Sequence, residues 1–177
     1  LIKNVGINPT RDGILRVFRE MGGSITLLNK RQSSGEPTAD LLVKTSRLHG
    51  ITVSGSIIPT LIDEVPILAV LACFAEGATV IKDAQELKVK ESNRIDVMVK
   101  NLSAMGAHIR ATADGMIIEG GHTLHGAQVD SCLDHRIAMS FAVAALVSEG
   151  ETEILGADCV KISYPGFYTD LKQIICS

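Results

Sequence analysis

The stretch LKVKESNRIDVMVKNLSAMGAHI, Leu87 to Ile109, decides how the rest of the chain is read. Leu87 to Val89 reads as a short extended segment. A helix is expected from Ser92 to Met105, ended by Gly106, with a new strand after it. Ser92 is the expected N-cap, since its hydroxyl can accept from an unpaired N–H of the first turn. Ile95, Met98, Val99 and Leu102 recur at helical spacing and predict the buried stripe. Lys90 and Arg94 lie four apart and can face the same way. Both fall at the positive end of the helix dipole, where a cation costs about 0.3–1 kcal/mol. A bound anion would offset that cost, so the pair marks a candidate anion site.

The pattern of helix, Met-Gly stop and strand occurs twice. ILRVFREMGGSITLL (14–28) matches MVKNLSAMGAHIRAT (98–112), and DEVPILAVLACFAEGATVIKDA (63–84) matches DHRIAMSFAVAALVSEGETEILGAD (134–158). A unit of roughly 70–85 residues present about twice indicates duplication of an α/β module. The second pair contains helices apolar nearly all round, which predicts helices filling the interior and sheets covering them. Asp63 is the expected N-cap of the first apolar helix, with Pro66 in its first turn. Elsewhere, residues 1–7 read as a strand and Asp12 to Met21 as a helix. The polar run NKRQSSGEPTAD (29–40) reads as a loop between strands. A hairpin is expected about Asp114-Gly115, and a last helix spans Phe167 to Ile175.

Composition narrows the function classes. At 177 residues, 46% hydrophobic and 21% charged, the chain suits one domain with a real core. A net charge of −3, 3% aromatic residues and no Trp argue against nucleic-acid binding, so any positive site must be local. No apolar run approaches the ~18 residues of a membrane span. Cys73, Cys132, Cys159 and Cys176 show no C-x-x-C spacing and read as reduced thiols of a cytoplasmic protein. No His or Cys pairing suggests zinc. The start at Leu1, already inside an apolar run, reads as part of a longer chain.

Chemistry concentrates at helix starts. Asp134-His135-Arg136 opens the second apolar helix, with Asp134 as its N-cap and two cationic or potentially cationic residues in the first turn. With Lys90 and Arg94 this makes two helix starts suited to phosphate or carboxylate, which the Arg fork fits best. Asp63 and Glu91 are the candidate acid–base carboxylates. Cations nearby keep a carboxylate ionised, as a base requires.

These motifs carry a resemblance. LKVKESNRI, followed about forty residues later by DHRIAM and then SYP, with IDEVPILAVLACFAEG ahead of them, resembles the EPSP synthase family of enolpyruvyl transferases over essentially the whole chain. The resemblance implies a fold of two lobes, each with three βαβαββ units and buried helices. The chain is then expected to be one domain, residues 1–177, most of the C-terminal lobe, without its N-terminal lobe. The implied reaction transfers the enolpyruvyl group of phosphoenolpyruvate to the 5-hydroxyl of shikimate 3-phosphate, with no metal or organic cofactor. Carried over by motif, Asp63 is the base beside the acceptor hydroxyl and a contact to that substrate. Lys90 binds at the same centre, and Glu91 carries the proton to and from C3. Arg94 and Arg136 bind phosphoenolpyruvate, with His135 beside them. Two departures stand out: Asn93 replaces a common Asp, and Ile162 occupies a place where some relatives carry Lys, with Lys161 one residue earlier. Since only one side of the anion clamp is present, the isolated chain is expected to be inactive. The alternatives are UDP-N-acetylglucosamine enolpyruvyl transferase and a non-catalytic anion-binding module of the same fold.

Overall fold

A computed structural model describes residues 1–175; Cys176, counted above among the reduced thiols, lies outside the described residues. The central third of the chain forms a full βαβαββ unit. It runs β4 (Thr52–Val53), α2 (Val65–Cys73), β5 (Ala78–Ile81), α3 (Arg94–Ala104), β6 (His108–Ala111) and β7 (Met116–Glu119). Its sheet has the order β4-β5-β7-β6, with β4 and β5 parallel and the other pairs antiparallel. Ahead of it, β1 (Ile2–Gly6), α1 (Gly13–Glu20), β2 (Ser24–Ser33) and β3 (Glu36–Lys44) reproduce the last four elements, in sheet order β1-β3-β2. After it, β8 (Gln128–Asp130), α4 (His135–Ala145), β9 (Glu153–Leu155) and α5 (Phe167–Ile175) reproduce the first four, with β8 and β9 parallel.

The repeat extends to single hydrogen bonds. His49 N donates to Met21 O and His125 N to Met105 O, both at 2.9 Å. Gly50 N and Gly126 N donate to the carbonyls of Glu76 and Glu149. A Cβ on Gly126 would sit 2.0 Å from Glu151 O, and one on Gly50 2.2 Å from Ala78 O, so each seam admits only glycine. His49 and His125, featureless in sequence, thus stand at equivalent joints between units.

Helices α2, α3 and α4 fill the interior through Leu68, Ala69, Ala72, Met98, Leu102, Ile137 and Phe141, all fully or nearly fully buried. The expectation that α2 and α4 are enclosed on every side needs correction. Ile67 and Leu71 of α2 with Phe74 just past its end, and Val143 of α4 with Val147 just past its end, line an open apolar groove of about 540 Å³ with α1 and the first sheet. Buried Cys73 has its thiol pushed up to about 12 by burial, which keeps it unreactive.

Several expected boundaries move. Residues 29–40 are not a loop: β2 and β3 run through them as a hairpin closed by Ser34-Gly35, both at positive φ. Strand pairing here overrides the polar composition: the run is exposed on β2, while Thr38, Ala39 and Asp40 of β3 are buried. Leu87 to Val89 lie in a 3-10 turn (Gln85–Val89), not an extended segment. Helix α3 starts at Arg94 with Asn93 as N-cap, its side chain accepting from Asp96 N at 3.3 Å, in place of Ser92. Asp63 caps nothing; it sits in a 3-10 turn (Ile62–Glu64) ahead of α2.

One polar cluster fixes the first sheet. Register shifts at Asn4 in β1 and Asn29 in β2, both at positive φ, flank Asp40 of β3. Asp40 accepts from Asn29 Nδ2 and Asn4 N at 2.8 Å and from Arg31 Nη2 at 3.2 Å. The Asn29 and Asn4 bonds, aided by Arg31, hold its carboxyl at about 2 against an ordinary 3.8. A depressed folded value means stabilisation that is complete above 3.8 and is lost as pH falls toward 2. Asp40→Asn should therefore flatten the acid limb of a stability–pH curve measured by urea unfolding. An unchanged slope between pH 4 and pH 2 would contradict this role for Asp40.

Candidate functional site

The connections that enter α1, α2, α3 and α4 contribute charged side chains that meet one another. The β1–α1 loop supplies Arg11, the turn before α2 supplies Asp63 and Glu64, the β5–α3 connection supplies Lys90, Glu91 and Arg94, and the start of α4 supplies Asp134 and Arg136. Repetition of one local geometry therefore brings residues 11, 63, 94 and 136 together although they lie far apart in sequence.

Asp63 is the meeting point. Its carboxylate lies 3.3 Å from Arg94 Nη1, 3.3 Å from Arg11 Nη2 and 3.5 Å from Arg136 Nη2. Arg136 Nη1 also donates to the Asp63 carbonyl at 3.2 Å. Burial would raise the Asp63 carboxyl, but the charges of Arg136, Arg94, Lys90 and Arg11 outweigh it and hold the group below its ordinary value. Neighbouring Glu64 is moved the other way: burial raises it, Arg136 offsets this only in part, and Asp63 adds to the rise. Adjacent carboxylates pushed apart in this way are suited to different proton states.

Arg94 is the second centre, and its side chain is only 1% exposed. Nε donates to Asp134 Oδ2 at 2.8 Å, and Nη2 donates to Glu91 Oε2 at 2.6 Å and to Asp134 Oδ1 at 3.4 Å. Together with Asp63, three carboxylates enclose one guanidinium. Burial alone would lower the Arg94 value, but Asp134, Glu91 and Asp63 raise it above the usual arginine range. Asp134 is fully buried and also accepts from Ser92 Oγ at 3.1 Å and Arg136 N at 3.0 Å. Burial would raise its carboxyl; the hydrogen bond and charge of Arg94, with the Arg136 N–H and Ser92, bring it below the ordinary value.

The sequence-predicted residues are thus partly united. Asp63, Glu91, Arg94 and Arg136 form one connected set of ion pairs. Lys90 lies close enough to act on Asp63 electrostatically but is paired with Glu86. His135 opens α4, half-buried, and its side chain forms no hydrogen bond or ion pair among the described residues. Lys161 pairs with Asp158 at 2.6 Å, away from this set. A cavity of about 190 Å³ opens beside Asp63, Glu64 and Arg136, with Ser140 and Phe167 on its walls. Among the described residues no group of three or more His, Cys, Asp or Glu side chains is placed to hold a metal ion.

Sequence reasoning missed three members. Asp134 was visible only as a cap, whereas it is also the buried partner of Arg94. Arg11 lies in a loop with no periodic signal, and Glu64 was hidden beside Asp63. The repeat itself held the clue, since Arg11 occupies the helix-entry loop equivalent to the one that carries Lys90 and Glu91.

Comparison with known proteins follows the same lines. Residues 1–171 match the family model described as EPSP synthase (3-phosphoshikimate 1-carboxyvinyltransferase). A 3-phosphoshikimate 1-carboxyvinyltransferase of Thermoanaerobacter sp. (strain X514) is 62% identical over 173 residues, covering 98% of this chain and 41% of that protein. The structure of EPSP synthase from Acinetobacter baumannii superposes with a TM-score of 0.93 at 42% identity, covering 97% of this chain and 40% of that one. The enolpyruvyl transferase NikO from Streptomyces tendae shares the fold, with a TM-score of 0.68 at 23% identity over 92% of this chain and 35% of its own. The chain spans about two fifths of the length of these curated relatives.

Proposed function

The chain belongs to the EPSP synthase family, and from that premise we propose that it supplies one face of the active site of a 3-phosphoshikimate 1-carboxyvinyltransferase in aromatic amino-acid biosynthesis. On this reading it is a single domain, most of the C-terminal lobe, and its partner is the N-terminal lobe of the same enzyme. The observation that carries the proposal is the convergence of Arg94 and Arg136 on Asp63, with Glu91 on the far side of Arg94. Cations fixed around a carboxylate provide both an anion seat and a base that stays ionised.

The 5-hydroxyl of shikimate 3-phosphate gives its proton to Asp63 while its oxygen bonds to C2 of phosphoenolpyruvate. Glu91, half-exposed and first protonated from solvent, gives that proton to C3, leaving a tetrahedral adduct. Phosphate then departs from C2 carrying the proton that Asp63 had accepted, C3 returns a proton to Glu91, and the enolpyruvyl ether results. Arg94, Arg136 and Lys90 balance the charge of carboxylate and phosphate throughout, and His135 borders them.

The test is release of inorganic phosphate from phosphoenolpyruvate with shikimate 3-phosphate present. The full-length protein should turn over, and the 177-residue chain alone should show none or a trace. Turnover by the isolated chain would overturn the two-lobed reading. Absence of turnover in the full-length protein would favour a non-catalytic anion-binding module. Turnover with UDP-N-acetylglucosamine instead would reassign the acceptor.

A further inference from the structure

Arg94 cannot meet a substrate as it stands. At 1% exposure, with Nε, Nη1 and Nη2 all donating to carboxylates, it has no face open to a ligand. One of its three carboxylates must leave before an anion can take its place. Asp134 is not that group, since it is fully buried and its oxygens also hold Ser92 and the Arg136 N–H. Asp63 is held by Arg11 and Arg136 as well as by Arg94. Glu91 differs from both. Its side chain is 51% exposed, it lies ahead of α3 rather than within it, and Arg94 is the single partner it contacts among the described residues.

We propose that Glu91 is a displaceable plug on Arg94: an entering carboxylate or phosphate replaces it on Nη2, and the same exchange sets the Glu91 carboxylate free beside the bound anion. This rests on the reading that the anion is phosphoenolpyruvate and that Glu91 carries the proton for C3. It adds that the proton carrier is released only when the substrate has taken its place. The exchange conserves charge at Arg94, because one anionic oxygen replaces another on the same N–H. Glu91 moves into solvent-exposed space, where an ion-pair partner is lost at small cost. Exposed and off Arg94, the freed carboxylate can take up from solvent the proton it carries to C3.

The proposal makes a prediction opposite in sign to that for an ordinary binding residue. In the full-length protein, Glu91→Gln should bind phosphoenolpyruvate, titrated calorimetrically without the acceptor, roughly two- to fivefold more tightly, the worth of one half-exposed competing ion pair. Turnover with both substrates should fall by about 10²–10⁴ in the same variant. Glu91→Ala should give the same tightening, which guards against a residual contact made by the amide. Unchanged or weaker binding in both variants, with a wild-type protein that binds and turns over, would overturn the plug and leave the functional reading standing. A wild-type protein that neither binds phosphoenolpyruvate nor turns over would overturn both.

Discussion

Asp134→Ala should destabilise the full-length protein by about 3–5 kcal/mol, the usual cost of removing one partner from a buried ion pair. The magnitude follows from what is left behind. Arg94 would retain its charge at 1% exposure while losing the Nε bond and the second Nη2 bond. Glu91 and Asp63 would still touch it, but both are partly exposed and neither reaches Nε. The start of α4 would also lose its cap, since Asp134 accepts from Arg136 N, a contribution of about 1 kcal/mol by itself. Asp134→Asn should cost less, because an amide oxygen can still cap α4 and accept one Arg94 N–H. The effect depends on pH in a defined direction. The Asp134 carboxyl lies below its ordinary value when folded, so its contribution is present above that value and is lost as pH falls toward the folded one. Urea unfolding of the three proteins at neutral pH decides the matter, and a loss below about 1 kcal/mol for the alanine variant would mean that the pair is not a coupled unit.

This pair also shows what the sequence could and could not disclose. The repeat, the buried helices and the last helix at Phe167–Ile175 were legible because apolar periodicity and Met-Gly stops are local signals. Helix-entry residues Lys90, Arg94, His135 and Arg136 were legible as candidate anion sites because cations near the positive end of a dipole break a local rule. Their mutual orientation was not legible. Whether Arg94 points outward toward a ligand or inward to Asp134 depends on the packing of α3 against α4, forty residues away in sequence. The Asp134 cap was correctly readable, yet capping uses only part of a carboxylate, and nothing local states what the remaining lone pairs hold. Asp63 illustrates the reverse error. A helix-start aspartate is normally explained by capping, but here Asp63 sits within a 3-10 turn ahead of α2 and its side chain meets three arginines. The tip of the β2–β3 hairpin, read as a loop between two strands, was missed for a different reason: residues 29–40 are mostly polar and show no apolar alternation, so the Ser34-Gly35 turn was the one local signal of pairing.

Asp63→Asn should lower turnover of the full-length protein by roughly 10²–10⁴, the range by which a positioned general base contributes. Asparagine preserves shape, and its one amide oxygen can keep the Arg94 contact made at Oδ1 but not also the Arg11 contact made at Oδ2, so part of the arginine packing is retained while proton acceptance is lost. Substrate binding should weaken much less than turnover. Removing the Asp63 charge leaves Arg136 and Arg94 less neutralised, which favours an entering anion and partly offsets the lost contact to the acceptor. The pH profile gives the sharper test. With Arg136, Arg94, Lys90 and Arg11 outweighing burial, Asp63 remains ionised below the ordinary aspartate value, so wild-type kcat/KM should not decline on account of this group until pH falls below that value. Weakening the surrounding charge should move the limb upward: in Arg136→Met the same decline should begin at higher pH, since the cation that most strongly opposes burial has been removed. If Asp63→Asn kept near wild-type turnover, the arginines would be an anion seat without a base. If the limb stayed in place in Arg136→Met, the group titrating in the rate would be something other than Asp63.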